Sequence, residues 1–204
     1  MDYFLTLPNP NFKGEASLEE AIKSRRTIRD FRSDPLTLQQ LSQLLWAGSG
    51  ITDEGGFKRA AASAGALYPI DLYIFAGQNG TPGLDAGVYH YHPQGHKISL
   101  LKAGDLRRDL AQASLGQMWM ARAPITILIA GEYERCSRKY RQRGIIYTYI
   151  EAGHIGQNIF LQAEALGFGA GIIGAFENQS VAEVAGIPAQ HDPILLMPVG
   201  YKAD

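Results

Sequence analysis

The stretch that decides the fold is IIYTYIEAGHIGQNIFLQAEAL, residues 145–166. Apolar or small residues recur there in alternating steps of four and three, which predicts a long helix. This stripe consists of Ile145, Tyr149, Ala152, Gly156, Ile159, Ala163 and Leu166. Further isoleucines and Phe160 make the other faces apolar as well, and such a helix belongs in a core or at a subunit interface. We therefore expect this helix either in the core or at a subunit interface.

Shorter elements surround the long helix. Ser17 with Glu20, and Thr37 with Gln40, have the spacing of capping boxes and predict two helices near the start of the chain. Alternating or continuous apolar runs predict strands at 70–76, 88–92, 96–101, 125–130 and 194–199, and a short strand at Ile172-Ile173. Residues 131–143 read as a basic loop. Because helices and strands alternate irregularly, we expect an α+β fold, in one domain over residues 1–204.

The composition excludes several classes of protein. The 204 residues include 19 Lys and Arg against 20 Asp and Glu, and this balance argues against a nucleic-acid binder. One cysteine cannot form an intramolecular disulfide framework or a cysteine-built zinc site. No targeting or membrane segment is visible, so we expect a cytoplasmic protein. Glycine is abundant, with 23 residues, which indicates many positions of close backbone approach.

Two motifs indicate a binding site for a flat or anionic group. Residues 25–29, RRTIR, place three guanidinium groups and a hydroxyl where the first helix ends. Arginine suits phosphate recognition, although a solvated basic edge has the same composition. Residues 169–174, GAGIIG, match G-x-G-x-x-G, but a helix precedes them and a strand follows, which is the reverse of a dinucleotide fold. We interpret them as a strand whose backbone lies open to a ligand.

Two other patterns offer alternative chemistry. His90, His92 and His96 lie across a predicted hairpin and could hold a metal, although further ligands of the kind such an enzyme needs are missing. Cys136 lies among arginines and a lysine, which would lower the pKa of its thiol, although an incidental thiol is the more common case.

Five motifs together resemble the nitroreductase superfamily. Residues 24–31, SRRTIRDF, resemble its N-terminal FMN motif, and residues 62–69, ASAGALYP, resemble the loop that contacts the flavin. Residues 87–91, 151–158 and 167–176 complete the set in the same order. The set is similar to that of the SagB-type dehydrogenase branch, which includes oxidases that aromatise azolines in peptide natural products.

The resemblance implies a homodimer with a central mixed or antiparallel sheet flanked by helices and one FMN in each of two interface sites. By motif, Arg25 and Thr27 would hold the phosphate and ribityl chain with help from Arg26, and Arg29 would face the N1/C2=O edge. Ser63, Ala64 and Gly65 would reach the flavin from the partner subunit. Ile173, Gly174 and Ala175 would line the ring system, with the Gly174 N–H near N5. The long helix would form the dimer core.

The resemblance also implies an activity. The protein would transfer hydride or electrons from NAD(P)H through FMN to a small organic acceptor, or would dehydrogenate a substrate in the SagB manner. The azoline-oxidising members resemble this chain at Lys139-Tyr140, which could transfer a proton, although the pair could also be part of a basic loop. Lys202 is the only basic candidate near the C-terminus for the phosphate. The alternatives are a flavin-binding module without turnover and a metal enzyme built on the histidine hairpin.

Overall fold

The structure is a computed structural model, and it describes residues 4–203. Its six α-helices in that range are α1 (Leu18–Ser24), α2 (Leu38–Ser49), α3 (Arg107–Ala113), α4 (Tyr133–Tyr140), α5 (Gln142–Ala165) and α6 (Asn178–Ala185). The strands are β1 (Phe4–Thr6), β2 (Ile70–Ala76), β3 (Gly87–His92), β4 (Lys97–Ala103), β5 (Ile125–Gly131), β6 (Phe168–Ala170) and β7 (Asp192–Tyr201). Single 3-10 turns lie at Ala64–Ala66 and Met118–Arg122. The α+β fold is confirmed.

All seven strands form one sheet in the order β1-β4-β3-β2-β5-β7-β6. Every pairing between them is antiparallel. Strand β5 lies near the middle, and each of its seven residues is buried. A strand covered on both faces needs apolar side chains in both directions, which is why Ile125–Gly131 is a continuous apolar run rather than an alternating one.

Helices cover both faces of the sheet. Leu72 and Ile74 of β2 point into the larger core, which α2 and α5 close with residues such as Leu44 and Ile159. The intervening Tyr73 of β2 points into a second core, which α3 and α6 cover. Both predicted capping boxes are present, because Ser17 and Thr37 each accept a hydrogen bond from the third residue of their helix. Across residues 4–203, no helix has the length and apolar content that crossing a membrane requires.

Helix α5 is the long predicted helix, but its buried face differs from the predicted stripe. Ile145 and Tyr149 are 42% and 52% exposed, whereas Thr148 and Ile155 are buried. The core therefore sits against a face one residue away from the predicted one over the first half of the helix. Because that half is apolar on several sides, periodicity alone did not single out the side that meets the sheet.

Two other segments differ from their predictions. Most of the predicted basic loop 131–143 is helix α4, which packs against α5 at Gly144. A Cβ there would lie 2.6 Å from the backbone nitrogen of Ser137, so only glycine allows this close contact. The predicted strand at Ile172-Ile173 is a single antiparallel bridge between Ile173 and Leu196, and the preceding strand is Phe168–Ala170.

Candidate functional site

The arginine segment lies along the free edge of the sheet. Helix α1 ends at Ser24, and Arg25 turns the chain into an extended conformation. Thr27 then forms a parallel bridge with Ala170 of β6, and the Ile28 N–H donates to the Ala170 carbonyl at 2.9 Å. The structure therefore brings Arg25–Arg29 beside the glycine-rich segment that begins at Gly169.

Glycine is required at this contact because the two backbones lie so close. A Cβ on Gly169 would lie 2.7 Å from the Ile28 side chain. A Cβ on Gly171 would lie 2.9 Å from the Trp119 ring and 3.0 Å from the Ile28 carbonyl oxygen. The G-x-G-x-x-G pattern is thus explained by strand packing at its first two glycines.

The three arginines of the segment carry charges without a carboxylate partner. Within residues 4–203, none of Arg25, Arg26 and Arg29 is in an ion pair. Arg25 lies over the Phe160 ring at 4.9 Å, and Arg26 donates to the carbonyl oxygens of Lys23 and Arg25 at 2.9 and 2.8 Å. Arg29 is exposed. This favours an anion site over a solvated edge whose charges are already paired.

Lys202, in contrast to the three arginines, already has a carboxylate partner. Its ammonium nitrogen lies 2.7 Å from Glu164 Oε1, and the Glu164 side chain is only 12% exposed. Because the Glu164 carboxylate offsets the charge of Lys202, an anion bound at this edge would be held by the arginines.

Ile173, Gly174 and Ala175, which are predicted to line the ring system, continue along the same edge. Ile173 exchanges two backbone hydrogen bonds of 2.9 Å with Leu196, while Gly174 and Ala175 are exposed. Among residues 4–203, no backbone carbonyl accepts the Gly174 N–H. A Cβ on Gly174 would meet only the Leu195 side chain, at 4.0 Å. A flat group could therefore approach this N–H without a clash.

The loop of residues 63–68 contains the predicted flavin-contacting residues Ser63, Ala64 and Gly65. Several of its residues have a positive φ. Gly65, Ala66 and Tyr68 have φ of 61°, 54° and 49°, in the left-handed region. For Ala66 and Tyr68 this conformation is unfavourable, and such residues concentrate at functional sites. The Tyr68 N–H donates to Ser63 Oγ at 2.9 Å, and the Tyr68 hydroxyl donates to the Phe57 carbonyl. These bonds hold Ser63, Ala64 and Gly65 in a tight turn.

Lys139 and Tyr140 meet this loop from the end of α4. A Cβ on Gly65 would lie 2.6 Å from Tyr140 Oη and 3.1 Å from Lys139 Nζ. Lys139 is exposed and Tyr140 is half-buried. The pair is therefore placed at a predicted ligand-contacting residue rather than in a solvated loop.

Within one chain the predicted residues form two separate groups. Thr27 lies beside Ala170, at the Ala76 end of β2, whereas the Ser63 loop leads into Ile70 at the other end. These ends are roughly 20 Å apart at the rise of a strand. Helix α5 runs between the groups: a His154 ring nitrogen lies 3.1 Å from the Ala62 carbonyl on one side, and Gly156 faces Ile172 on the other.

A partly buried ionic network lies beneath the Ser63 loop, and the sequence reasoning missed it. Arg135 of α4 lies 2.6 Å from both Asp71 and Glu132, and it donates to the Tyr68 carbonyl at 3.1 Å. Burial raises the pKa of Asp71, but the His90 hydrogen bond and the Arg135 charge outweigh this, so the pKa is lowered and the carboxylate is ionised. The feature of the sequence that could have revealed this network is Asp71, an acidic residue inside the apolar strand IDLYIFA.

His191 and Tyr73 complete the network. Burial lowers the pKa of His191 despite the Asp71 charge, and burial raises that of Tyr73. His191 is therefore neutral and Tyr73 protonated at neutral pH, and the Tyr73 hydroxyl and His191 Nδ1 share a hydrogen bond of 2.6 Å. The network fixes α4 and the loop to the sheet.

Glu151 of α5 is a second buried acid that was missed as a site residue. It is 3% exposed, and Oε2 has no hydrogen-bond partner within the described residues. Burial raises its pKa to about 7, against a hydrogen bond from Ser63 and the charges of Arg59 and Arg135. The signal in the sequence was a carboxylate, Glu151, within the apolar stretch IIYTYIEA of α5.

The metal alternative and the reactive thiol are both contradicted by the geometry. His90 is bonded to Asp71 at 2.9 Å and His92 to Ser99 at 2.8 Å, while His96 bonds Ser42 at 2.6 Å. Over residues 4–203, no three His, Cys, Asp or Glu residues are grouped to hold a metal ion. The Cys136 thiol is fully buried, and burial with the nearby Glu151 charge raises its pKa rather than lowering it.

Comparison with known proteins shows which family the chain resembles. The Nitroreductase family model matches residues 22–201. MJ1384, a candidate nitroreductase of Methanocaldococcus jannaschii, is 42% identical over 190 residues, which span 93% of each chain. The Microcin B17-processing protein McbC of Escherichia coli is 28% identical over 137 residues, 65% of this chain and 50% of McbC.

A solved structure extends the similarity to the fold. The crystal structure of a candidate nitroreductase from Ralstonia eutropha JMP134 superposes with a TM-score of 0.85 and 29% identity, over 98% of this chain and 90% of that one. Both the sequence match and the superposition cover the arginine edge, the Ser63 loop and α5. The chain belongs to the nitroreductase family.

Proposed function

We propose that this protein is an FMN-dependent oxidoreductase that transfers hydride or electrons between NAD(P)H and a small organic acceptor. The observation that carries the proposal is one sheet edge. Arg25–Arg29, whose arginines have no carboxylate partner within residues 4–203, pairs there with Ala170, and the open Gly174 backbone lies further along the same edge. The arginines at one end of this edge fit the phosphate of FMN. The accessible Gly174 N–H at the other end fits its ring system.

Each residue along this edge would have a distinct role. Arg25 and Thr27 bind the phosphate and ribityl chain, with Arg26 assisting, because a guanidinium forms strong charge-assisted bonds to phosphate. Arg29 faces the N1/C2=O edge, where a cation stabilises negative charge and raises the potential. Ile173, Gly174 and Ala175 orient the ring system, and the Gly174 N–H donates near N5. Bound FMN supplies the hydride and electron transfer itself.

A second copy of the chain would complete the site. Ser63, Ala64 and Gly65 lie across α5 from the arginine edge of their own chain, so they would reach a flavin held by the partner. Half-exposed apolar residues on the N-terminal half of α5 support such a homodimer, since they need cover from water. These are Ile145, Ile146, Tyr149 and Ile150, exposed by 42% to 52%.

The visible spectrum of the purified protein tests this function. We expect a flavin band, either as isolated or after addition of FMN, that anaerobic NADH or NADPH bleaches and that a quinone or nitroarene restores. A stable flavin band that neither nucleotide bleaches would indicate a binding module without turnover. Failure to bind FMN at all would contradict the proposal.

A SagB-like dehydrogenation is the second candidate, and the position of Lys139 and Tyr140 favours it. Both side chains contact the position of Gly65, which is predicted to face the flavin, so either could act as a proton-transfer group for a substrate at that site. The similarity to McbC is consistent with this direction. We expect an azoline-containing peptide to bleach the flavin band without NAD(P)H. The Tyr140→Phe variant should slow this bleaching while FMN affinity stays unchanged.

A further inference from the structure

Glu151 is an ionisable group that the proposed chemistry does not use. It lies on the face of α5 that points into the protein, and only 3% of it is exposed. Its Oε2 has no hydrogen-bond partner among residues 4–203. A buried carboxyl oxygen without a partner is costly, and such groups usually have a functional explanation.

The groups that face this carboxyl come from three elements. Ser63 and Arg59 face it from the chain before β2, and Arg135 and Cys136 face it from α4. Arg59 also lies over the Tyr68 ring at 4.2 Å. Because Asp71 and Glu132 already hold Arg135 at 2.6 Å, this cation is not free to pair with Glu151. The Cys136 thiol is protonated, since burial raises its pKa. On α5 itself, Thr148 is buried one turn earlier and donates to the Gly144 carbonyl.

Ser63 is therefore the polar neighbour of Glu151 that belongs to the proposed ligand loop. Its Oγ already accepts the Tyr68 N–H at 2.9 Å, so this oxygen is fixed in place while the hydroxyl hydrogen can still rotate. An ionised Glu151 can only accept a hydrogen bond, and it draws that hydrogen inward. A protonated Glu151 can donate to Ser63 Oγ instead, which leaves the hydroxyl hydrogen free to point away from α5.

We propose that Glu151 is a positioning residue that sets the direction of the Ser63 hydroxyl, and that its protonation releases this hydroxyl to donate to a flavin bound against residues 63–65. The proposal rests on the proposed flavin site. It predicts that flavin binds more tightly as the pH falls through the titration of Glu151, near 7. The neutral variant Glu151→Gln should bind as the protonated form does.

The first test does not need flavin. The backbone amide signals of residues 63–68 are followed by NMR from pH 5 to pH 9 in the unliganded protein. We expect an inflection near pH 7 that Glu151→Gln removes. His154→Gln is the matched control, because His154 lies on the same helix and its ring nitrogen contacts the Ala62 carbonyl next to the loop. It should leave the inflection in place. An inflection that survives in Glu151→Gln, or that His154→Gln removes, would overturn the proposal.

The second test measures FMN affinity by fluorescence over the same pH range. The wild type should bind FMN several-fold more tightly at pH 6 than at pH 8. This change should exceed the one that Glu151→Gln shows, because titration of the FMN phosphate affects both proteins equally. Ser63→Ala should bind more weakly and should also lose the extra pH dependence. Equal pH profiles in the wild type and Glu151→Gln would reject the proposal. If no variant binds FMN but the amide inflection follows Glu151, the proposed function fails and the coupling of Glu151 to Ser63 stands.

Discussion

At the scale of single residues, the site is defined by charges that lack partners. Arg25 and Arg29 have no carboxylate to neutralise them within residues 4–203, whereas Arg32, Arg122 and Arg138 are paired with Asp34, Asp30 and Glu134. Because no ion pair within residues 4–203 occupies these cations, they are available to an anionic ligand.

Replacing Arg29 with alanine should weaken FMN binding and leave folding intact. A charge-assisted hydrogen bond contributes about 1.5–3 kcal/mol, so we expect roughly a 10- to 100-fold loss of affinity. The reduction potential should also fall, because a cation near N1 is lost. Fluorescence titration and a dye-coupled potential measurement check both effects. Arg138→Ala is the control, since Arg138 forms an ion pair with exposed Glu134. Unchanged affinity and potential in Arg29→Ala would remove its assigned role.

Glu151 should make the protein less stable as the pH rises. Its pKa is raised from 4.5 to about 7, so the folded state binds the proton more tightly than the unfolded state does. The stabilising contribution of the protonated form is therefore present below pH 4.5 and is lost as the pH rises through 7. This loss is on the order of 3 kcal/mol. Urea unfolding between pH 5 and pH 8 should show a smaller fall in Glu151→Gln than in the wild type, and parallel curves would contradict the prediction.

At the scale of elements, the decisive contact joins the extended arginine segment to β6. This pairing depends on Gly169 and Gly171, where any side chain would collide with Ile28 or Trp119. Capping boxes, apolar runs and glycines at turns predicted most of the helices and strands. They did not locate α4, because its exposed face carries Arg138, Lys139 and other polar residues and only Cys136 is buried.

Substituting Gly169 with alanine should separate the arginine segment from β6. The new Cβ would lie 2.7 Å from Ile28, closer than side chains approach, so the segment must move. Overpacking of this kind costs about 1–3 kcal/mol, and FMN affinity should fall with it. Thermal unfolding and FMN titration measure the two effects. Gly14→Ala is the control, because a Cβ there would meet only the Ala16 carbonyl oxygen, at 4.0 Å. A Gly169→Ala protein with normal stability and affinity would show that this contact is not needed.

At the scale of the whole molecule, the predicted site residues stand on both sides of α5 and do not meet in one chain. A homodimer would bring the arginine edge of one copy to the Ser63 loop of the other. It would also cover the isoleucines and Tyr149 on the N-terminal half of α5, which the sheet leaves exposed.

Placing a charge on this surface should dissociate the proposed dimer. Ile150 is 48% exposed, so Ile150→Asp should leave the fold of one chain intact while opposing burial against a partner. We expect a monomer by light scattering, a native circular dichroism spectrum and loss of FMN binding. Leu101→Asp, at a 42% exposed site on β4, should remain dimeric and bind FMN. A wild type that is monomeric and still binds FMN would contradict the shared site.

The sequence by itself determined the local features: the capped helices, the buried strands, the long α5 and the motifs of the nitroreductase family. These depend on periodicity, turn residues and spacing, which are properties of neighbouring positions. The tertiary structure decided which side of α5 faces the core and that Gly65 meets Lys139 and Tyr140. It also decided that Glu151 is buried near Ser63 and that Asp71 is half-buried in the ionic network of Arg135. Those facts depend on contacts between distant residues and on the exclusion of water, which spacing along the chain does not encode.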